Sequence, residues 1–216
     1  MKRIHRILLL FAAAGLVLTS CSKEMSKEGD APQGTPCEYA PYTNGSSFSF
    51  LNISQAGDTQ RYTLTVSGDT TINGVTYKKV GDDNVFTCSS CKDGIYTQIA
   101  SLTFQTYKAD DLQLTYLKDN VAPGASWSDT ITVKDGANTT TGILQHTVTG
   151  KGITKRVLNK DFLDVIVVRT DAFALLSGNT VPAGNVSTSY YAKGIGLVEA
   201  DQPQDTIKLV DYILKP

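Results

Sequence analysis

The chain of 216 residues is poor in the side chains that carry most enzyme chemistry, with two histidines, one tryptophan, two methionines and four cysteines. Charged residues make up 19%, and no polybasic run lies beyond the first six positions. Phosphate binding needs clustered cations, so no nucleic acid partner is expected. A Gly-x-Ser-x-Gly elbow, an EF-hand spacing and a phosphate loop are all missing. Apart from one N-terminal run, no stretch of eleven or more residues repeats its apolar positions at the helical period. Without crossover helices a parallel sheet has no connections, which leaves antiparallel β structure.

The N-terminal run is short. Lys2, Arg3 and Arg6 precede Ile7 to Leu18, which is uncharged and almost wholly apolar. Twelve residues rise about 18 Å as a helix, against a hydrocarbon core of roughly 30 Å. That is the h-region of a signal peptide rather than a span. Leu18-Thr19-Ser20-Cys21 follows at once and resembles the bacterial lipobox, which implies cleavage before Cys21 and a thioether-linked diacylglycerol, palmitate included, on its sulfur. Several acyl chains on one cysteine anchor firmly where one does not. Ser22 rather than Asp follows, which by resemblance to known sorting rules favours the outer membrane.

Removal of residues 1–20 takes Lys2, Arg3 and Arg6 with it and moves the formal charge from −1 to −4. His146 becomes the only histidine. Residues 21–36 are polar, rich in Gly and Pro, and read as a lipidated flexible tether. Residues 37–216 are expected to form a single domain.

In that domain the β signal repeats. Tyr62, Leu64 and Val66 alternate along one strand, and Thr70-Thr71-Ile72 faces Val75-Thr76-Tyr77 across Asn73-Gly74, a type I′ hairpin signal. Further strands are expected at 84–88, 94–107, 112–118, 129–134, 143–149, 153–158, 162–169, 187–193, 196–199 and 206–214. Residues 171–176 could make one helical turn. About twelve short strands predict an all-β antiparallel meander, folded as a sandwich or a curved half-barrel. Residues 63–80 and 147–165 echo one another as two strands around an Asn turn, which either a duplication or two ordinary hairpins explains.

Three segments carry a resemblance: Asp69-Thr70-Thr71-Ile72-Asn73-Gly74-Val75-Thr76-Tyr77, then Phe162-Leu163-Asp164-Val165-Ile166-Val167-Val168, then Tyr190-Tyr191-Ala192-Lys193-Gly194-Ile195-Gly196-Leu197-Val198. In this order they resemble hairpin, strand and near-terminal motifs of all-β outer-membrane lipoproteins of unknown function from Bacteroidota-type bacteria. The resemblance implies an exported, anchored, β-rich protein and assigns no activity. Asp69-Thr70-Thr71, Asp129-Thr130-Ile131 and Asp205-Thr206-Ile207 also resemble the O-glycosylation triplet of that group. Cys88-Ser89-Ser90-Cys91 departs from the common pattern. Gly194 and Gly196 permit a bulge or bend, or the approach of a ligand to bare backbone.

Cys88 and Cys91 have redox spacing, but no helix follows to lower a thiol pKa. Zinc would need distant Cys37 and a fourth ligand that is not evident, so no metal and no cofactor is expected. A structural disulfide fits an oxidising envelope. Cys37 competes for either partner: loop closure favours Cys88–Cys91, and strain in so small a ring opposes it. His146 shares an apolar face with Leu144 and Val148, as a hydrogen-bonded strand histidine would. Asp82-Asp83-Asn84 and Asp110-Asp111 fit solvated turns better than calcium sites. Trp127 is the candidate aromatic platform, with Tyr190 and Tyr191 as further ligand contacts.

The expectation is therefore a non-enzymatic lipoprotein, held in the membrane by Cys21, with a structural role or a glycan or envelope-protein partner. A carrier of an apolar ligand in the concave face of a curved sheet is the alternative, and a hydrolase is third.

Overall fold

The computed structural model describes residues 37–82, 86–104, 107–135, 138–176 and 178–216. They form twelve antiparallel strands: β1 Ser47–Ser54, β2 Thr59–Ile72, β3 Val75–Gly81, β4 Phe86–Lys92, β5 Ile95–Phe104, β6 Tyr107–Lys118, β7 Ser126–Asp135, β8 Asn138–Val157, β9 Lys160–Leu176, β10 Asn179–Ala192, β11 Gly196–Asp201 and β12 Asp205–Ile213. Each strand pairs with the next, and β12 pairs with β1. The all-β meander expected from alternation is present, and it goes further than a half-barrel by closing on itself. Closure removes the unpaired edges that an open sheet must protect.

Several strands are longer than their sequence signals. The expected 143–149 and 153–158 are parts of one twenty-residue strand, β8. Residues 171–176 continue β9 rather than making a helical turn, because Ala172 and Phe173 pair with Leu144 and Ile143. Turn residues behave as their chemistry demands. Asn73-Gly74 and Asp93-Gly94 both hold positive φ at two central positions, joining β2 to β3 and β4 to β5. The echoed segments are β2–β3 and β8–β9, six strands apart in a barrel of twelve.

Alternation sorts the wall. In β8, Gly142, Leu144, His146 and Val148 are buried while their neighbours are partly exposed. In β7, Ile131 and Val133 are buried while Ser128, Thr130, Thr132 and Lys134 are exposed. Apolar residues face inward and Ser, Thr and Lys face out, the reverse of a barrel standing in lipid.

In a meander, alternate connections share an end. The turns after β2, β4, β6, β8 and β10 lie at one end with the start of β1 and the end of β12. We call this the proximal end, because residue 37 enters there. The connections after β1, β3, β5, β7, β9 and β11 lie at the distal end. The proximal end is plugged by residues 37–46. Cys37 is bonded to Cys91 at the end of β4. Glu38 O accepts from Gly194 N at 2.7 Å, and the Tyr39 hydroxyl donates to Asp164 O at 3.0 Å. The tip of the β8–β9 hairpin lies over the same end, with Val157 and Phe162 buried in a cluster with Phe48, Val66 and Val80.

Candidate functional site

One interior feature is large enough to hold a ligand. A cavity of about 740 Å³ is lined from β5, β6, β8, β9, β10 and the β11–β12 connection. Volumes of 300–1,000 Å³ are typical of small-molecule sites. Its lining includes distal-end residues Gln202, Pro203 and Gln204, while Tyr116 and Tyr191 lie toward the proximal plug. Most of its polar groups are uncharged hydrogen-bonding side chains, among them Gln98, Thr170, Asn185, Ser187 and Ser189, with His146 and the carboxylate of Asp205. Leu114, Leu144, Val168 and Val186 supply the apolar remainder.

Aromatic rings connect the cavity to the plug. Tyr191 lies 5.6 Å from Tyr116, Tyr116 6.0 Å from Tyr96, and Tyr96 6.5 Å edge-on to Tyr39, ring centre to ring centre. The Tyr96 hydroxyl donates to Asp119 Oδ2 at 2.6 Å and accepts from Tyr39 N at 3.1 Å. Burial pushes the Tyr116 and Tyr191 hydroxyls above their ordinary pKa, so both stay protonated. Among the described residues, Asp205 Oδ1, on a side chain that lines the cavity, is buried without a hydrogen bond, whereas the Tyr116 hydroxyl is paired with that of Tyr42 and His146 Nε2 faces Asp129. A buried polar atom without a hydrogen bond is costly unless water or a ligand supplies one.

His146 is buried, as alternation expected, and its bonding is fuller than alternation could reveal. Nδ1 lies 2.9 Å from Thr170 Oγ1, and Nε2 lies 3.3 Å from Asp129 Oδ2 without hydrogen-bond alignment. Trp127 stacks on the imidazole at 5.4 Å with 18° between planes. The group sits where the wall is weakest. Strands β6 and β7 share a single bridged pair, Lys108 and Lys134, among the described residues. Side chains replace the missing ladder: Thr115 N donates to Asp129 Oδ2 at 2.8 Å, and Trp127 Nε1 donates to Thr115 O at 2.6 Å.

The other sequence candidates are placed as follows. Trp127 is not a bare platform, since one face lies on His146, its N–H is engaged and Lys118 Nζ is 5.3 Å from its ring centre. Tyr191 lines the cavity, whereas Tyr190 does not and carries Lys155 Nζ at 3.7 Å from its ring centre. Cys88 and Cys91 do not bond to each other: Cys91 takes Cys37, and Cys88 is left free and buried. In β4 their side chains cannot both reach one partner, and Cys37 arrives at the end of the strand where Cys91 lies. Gly196 does meet an approaching backbone, but that of this chain, for a Cβ there would lie 3.3 Å from Tyr39 O. Among the described residues no three His, Cys, Asp or Glu side chains gather as a metal site. Asp83-Asn84 falls outside the described residues, as does Cys21. Of the glycosylation-like triplets, Thr130 is exposed, while its neighbour Asp129 is committed to the seam. Sequence reasoning missed Gln98, Asn185 and the Gln202–Gln204 connection, because lone amides on different strands carry no spacing signal.

No protein-family model matches the sequence, and no curated protein sequence matches it. Solved structures do resemble it. A protein of Parabacteroides distasonis designated a lipoprotein superposes with a TM-score of 0.54 at 12% identity, over 82% of this chain and 99% of that one. A Bacteroides fragilis protein designated exported, with a YmcC-like fold, gives 0.49 at 14% identity over 79% and 96%. The hypothetical lipoprotein YmcC of Escherichia coli gives 0.41 at 10% identity over 78% and 88%. At such identities the first of these speaks to fold alone.

Proposed function

We propose that this chain is a cell-envelope lipoprotein, anchored to the outer membrane through Cys21, whose barrel binds a small neutral glycan without chemical turnover. The observation that carries the binding reading is the plugged cavity of about 740 Å³ with its amide and hydroxyl lining. Amides and hydroxyls both donate and accept, as sugar hydroxyls do, and tyrosine rings suit the apolar faces of a sugar. The unpartnered Asp205 Oδ1 on the cavity lining favours a polar occupant over the apolar cargo of a carrier. The signal and lipobox support the anchor, and the fold shared with a designated lipoprotein agrees with it.

Trp127 is the only tryptophan and stacks on a cavity side chain, so its emission reports on occupancy. Titration with neutral mono- and disaccharides should change that emission saturably, and Gln98→Leu should weaken the binding about tenfold, as loss of one buried hydrogen bond does. Saturable binding of fatty acids or alkyl detergents, with no sugar response, would replace this reading by the apolar carrier.

One arrangement favours a hydrolase instead, the Asp129–His146–Thr170 row beside the cavity. Each member also holds the wall: Asp129 secures Thr115, and His146 supports Trp127. The proposed role of the row is therefore structural. Turnover lost in His146→Gln with the fold intact would reverse that assignment.

A further inference from the structure

The proximal end has a second character that the cavity does not explain. The β8–β9 hairpin is the longest in the barrel and outruns its neighbours. Pairing with β7 stops at Thr147, and pairing with β10 stops at Val165. The remaining tip is two-sided: Val157 and Phe162 are buried, while Leu158 and Leu163 are exposed by 44% and 66%. Leu158 occupies a turn position with φ of +53°, where Asn, Asp or Gly would be expected. A leucine there is unfavourable both in backbone conformation and in exposure, which marks the position as selected for something other than stability. Val75, Ile95, Ile213 and Leu214 are also exposed at this end, while Phe86, Leu175, Leu176 and Val181 are exposed at the distal end, so what sets the tip apart is that Leu158 and Leu163 project beyond the paired wall.

Among the described residues Lys92, Lys160 and Lys215 lie at the proximal end without a carboxylate partner, against Asp93, Asp164 and Asp211, while Lys151 Nζ is held by the carbonyls of Asp119 and Val121. Glu38 is taken by Lys193 and Asp161 by Arg156. Distal connections and strand ends carry Asp58, Asp201 and Asp205 against Arg61 and Lys134.

The chain outside the described structure also joins at this end. Residues 21–36 lead into Cys37, and Cys37 is fixed to β4. Sixteen residues reach at most about 55 Å when fully extended. An anchor at Cys21 therefore keeps the proximal end within that distance of the bilayer.

We propose that the proximal end is a membrane-docking surface, with Leu158 and Leu163 of the β8–β9 tip seated among the lipids of an anionic bilayer and the unpaired lysines against its headgroups. The tether raises the effective lipid concentration, so a small apolar tip is sufficient. Lysines near an anionic surface add to the attraction. Docking in this way turns the distal end, and with it the Gln202–Gln204 side of the cavity, away from the membrane. The inference rests on the anchored reading above.

The test uses the mature chain purified from envelopes and reconstituted on phosphatidylethanolamine–phosphatidylglycerol vesicles with brominated acyl chains. A tryptophan is introduced by Leu163→Trp at the tip or by Val181→Trp at the distal end, both exposed positions, with unchanged melting as the control for folding. Quenching of the new emission should be several-fold greater for Leu163→Trp than for Val181→Trp, and Leu158→Asp should abolish the difference. Equal quenching at the two positions, or none at Leu163→Trp with lipid in excess, overturns the proposal. Intact mass reports separately on the anchor: a chain without acyl groups refutes anchorage, while quenching at the tip with lipid in excess still decides the docking.

Discussion

Single residues in this barrel are constrained by the chain's own N-terminal segment. Gly196 has φ of +101°, and a Cβ there would press on the carbonyl of Tyr39 at 3.3 Å. Gly194 beside it has φ of +75° and gives its N–H to Glu38. The two glycines thus shape a turn on which residues 37–46 rest. Gly196→Ala should cost about 2 kcal/mol, from an unfavourable backbone region together with the displaced carbonyl. Urea denaturation measures this, and the position is structural only if the loss exceeds that of Gly57→Ala, where nothing lies within 4 Å of the added carbon. Gly57 shares a positive φ, so the difference between the two isolates the contact with Tyr39.

At the level of elements, the barrel is unequal around its circumference. Strands β8 and β9 pair over most of their length, whereas β6 and β7 are joined at one bridge and otherwise by Asp129 and Trp127. Asp129→Ala leaves the Thr115 N–H without its acceptor and should cost about 2 kcal/mol. Hydrogen exchange should show the Thr115 amide losing protection while β8 and β9 amides keep theirs. Uniform loss around the barrel would mean that the seam is not a local weak point. Little of this was legible in the sequence. Alternation and the Asn73-Gly74 turn report on one strand or hairpin at a time, so the all-β class and the inward face of His146 could be read from them. The closure of β1 on β12 depends on residues about 160 positions apart and leaves no local mark. For the same reason the cavity was hidden, since its amides come from separate strands. Nor can alternation show that Trp127 Nε1 donates to Thr115 O, a backbone atom of another strand.

Over the whole molecule, two devices hold the proximal end, and they fail under different conditions. The first is the cluster of buried tyrosines. Burial raises the pKa of Tyr39, Tyr42, Tyr96, Tyr116 and Tyr191 above the ordinary 10.0, with the Asp119 carboxylate adding to the effect at Tyr96. These groups hold their protons more tightly when folded. Their contribution is therefore complete below pH 10 and is lost as pH rises above it, where the unfolded chain releases protons that the folded chain keeps. Urea midpoints, as far as these groups set them, should be flat from neutrality to about pH 9 and fall steeply beyond pH 10, in step with tyrosinate absorbance. Tyrosinate appearing at pH 10 with no loss of stability would show the rings to be accessible.

The second device is the Cys37–Cys91 bond, which closes a loop with a sequence separation of 54. Constraint of the unfolded chain by a loop of that size is worth about 4 kcal/mol on the chain-entropy account, and that is an upper figure where the reduced state retains contacts. In the folded chain the plug is also held by Tyr39, through Tyr96 and Asp164, and by Glu38 on Gly194, so the bond is one of several attachments. Reduction should therefore loosen residues 37–46 before it unfolds the barrel. Hydrogen exchange on Cys37→Ser should show Tyr39 and Gly194 amides opening while the β8–β9 core stays protected, with the urea midpoint lowered by less than the full loop term predicts. A single cooperative loss of protection across all twelve strands would show instead that the plug is part of the core and that the barrel cannot close without it.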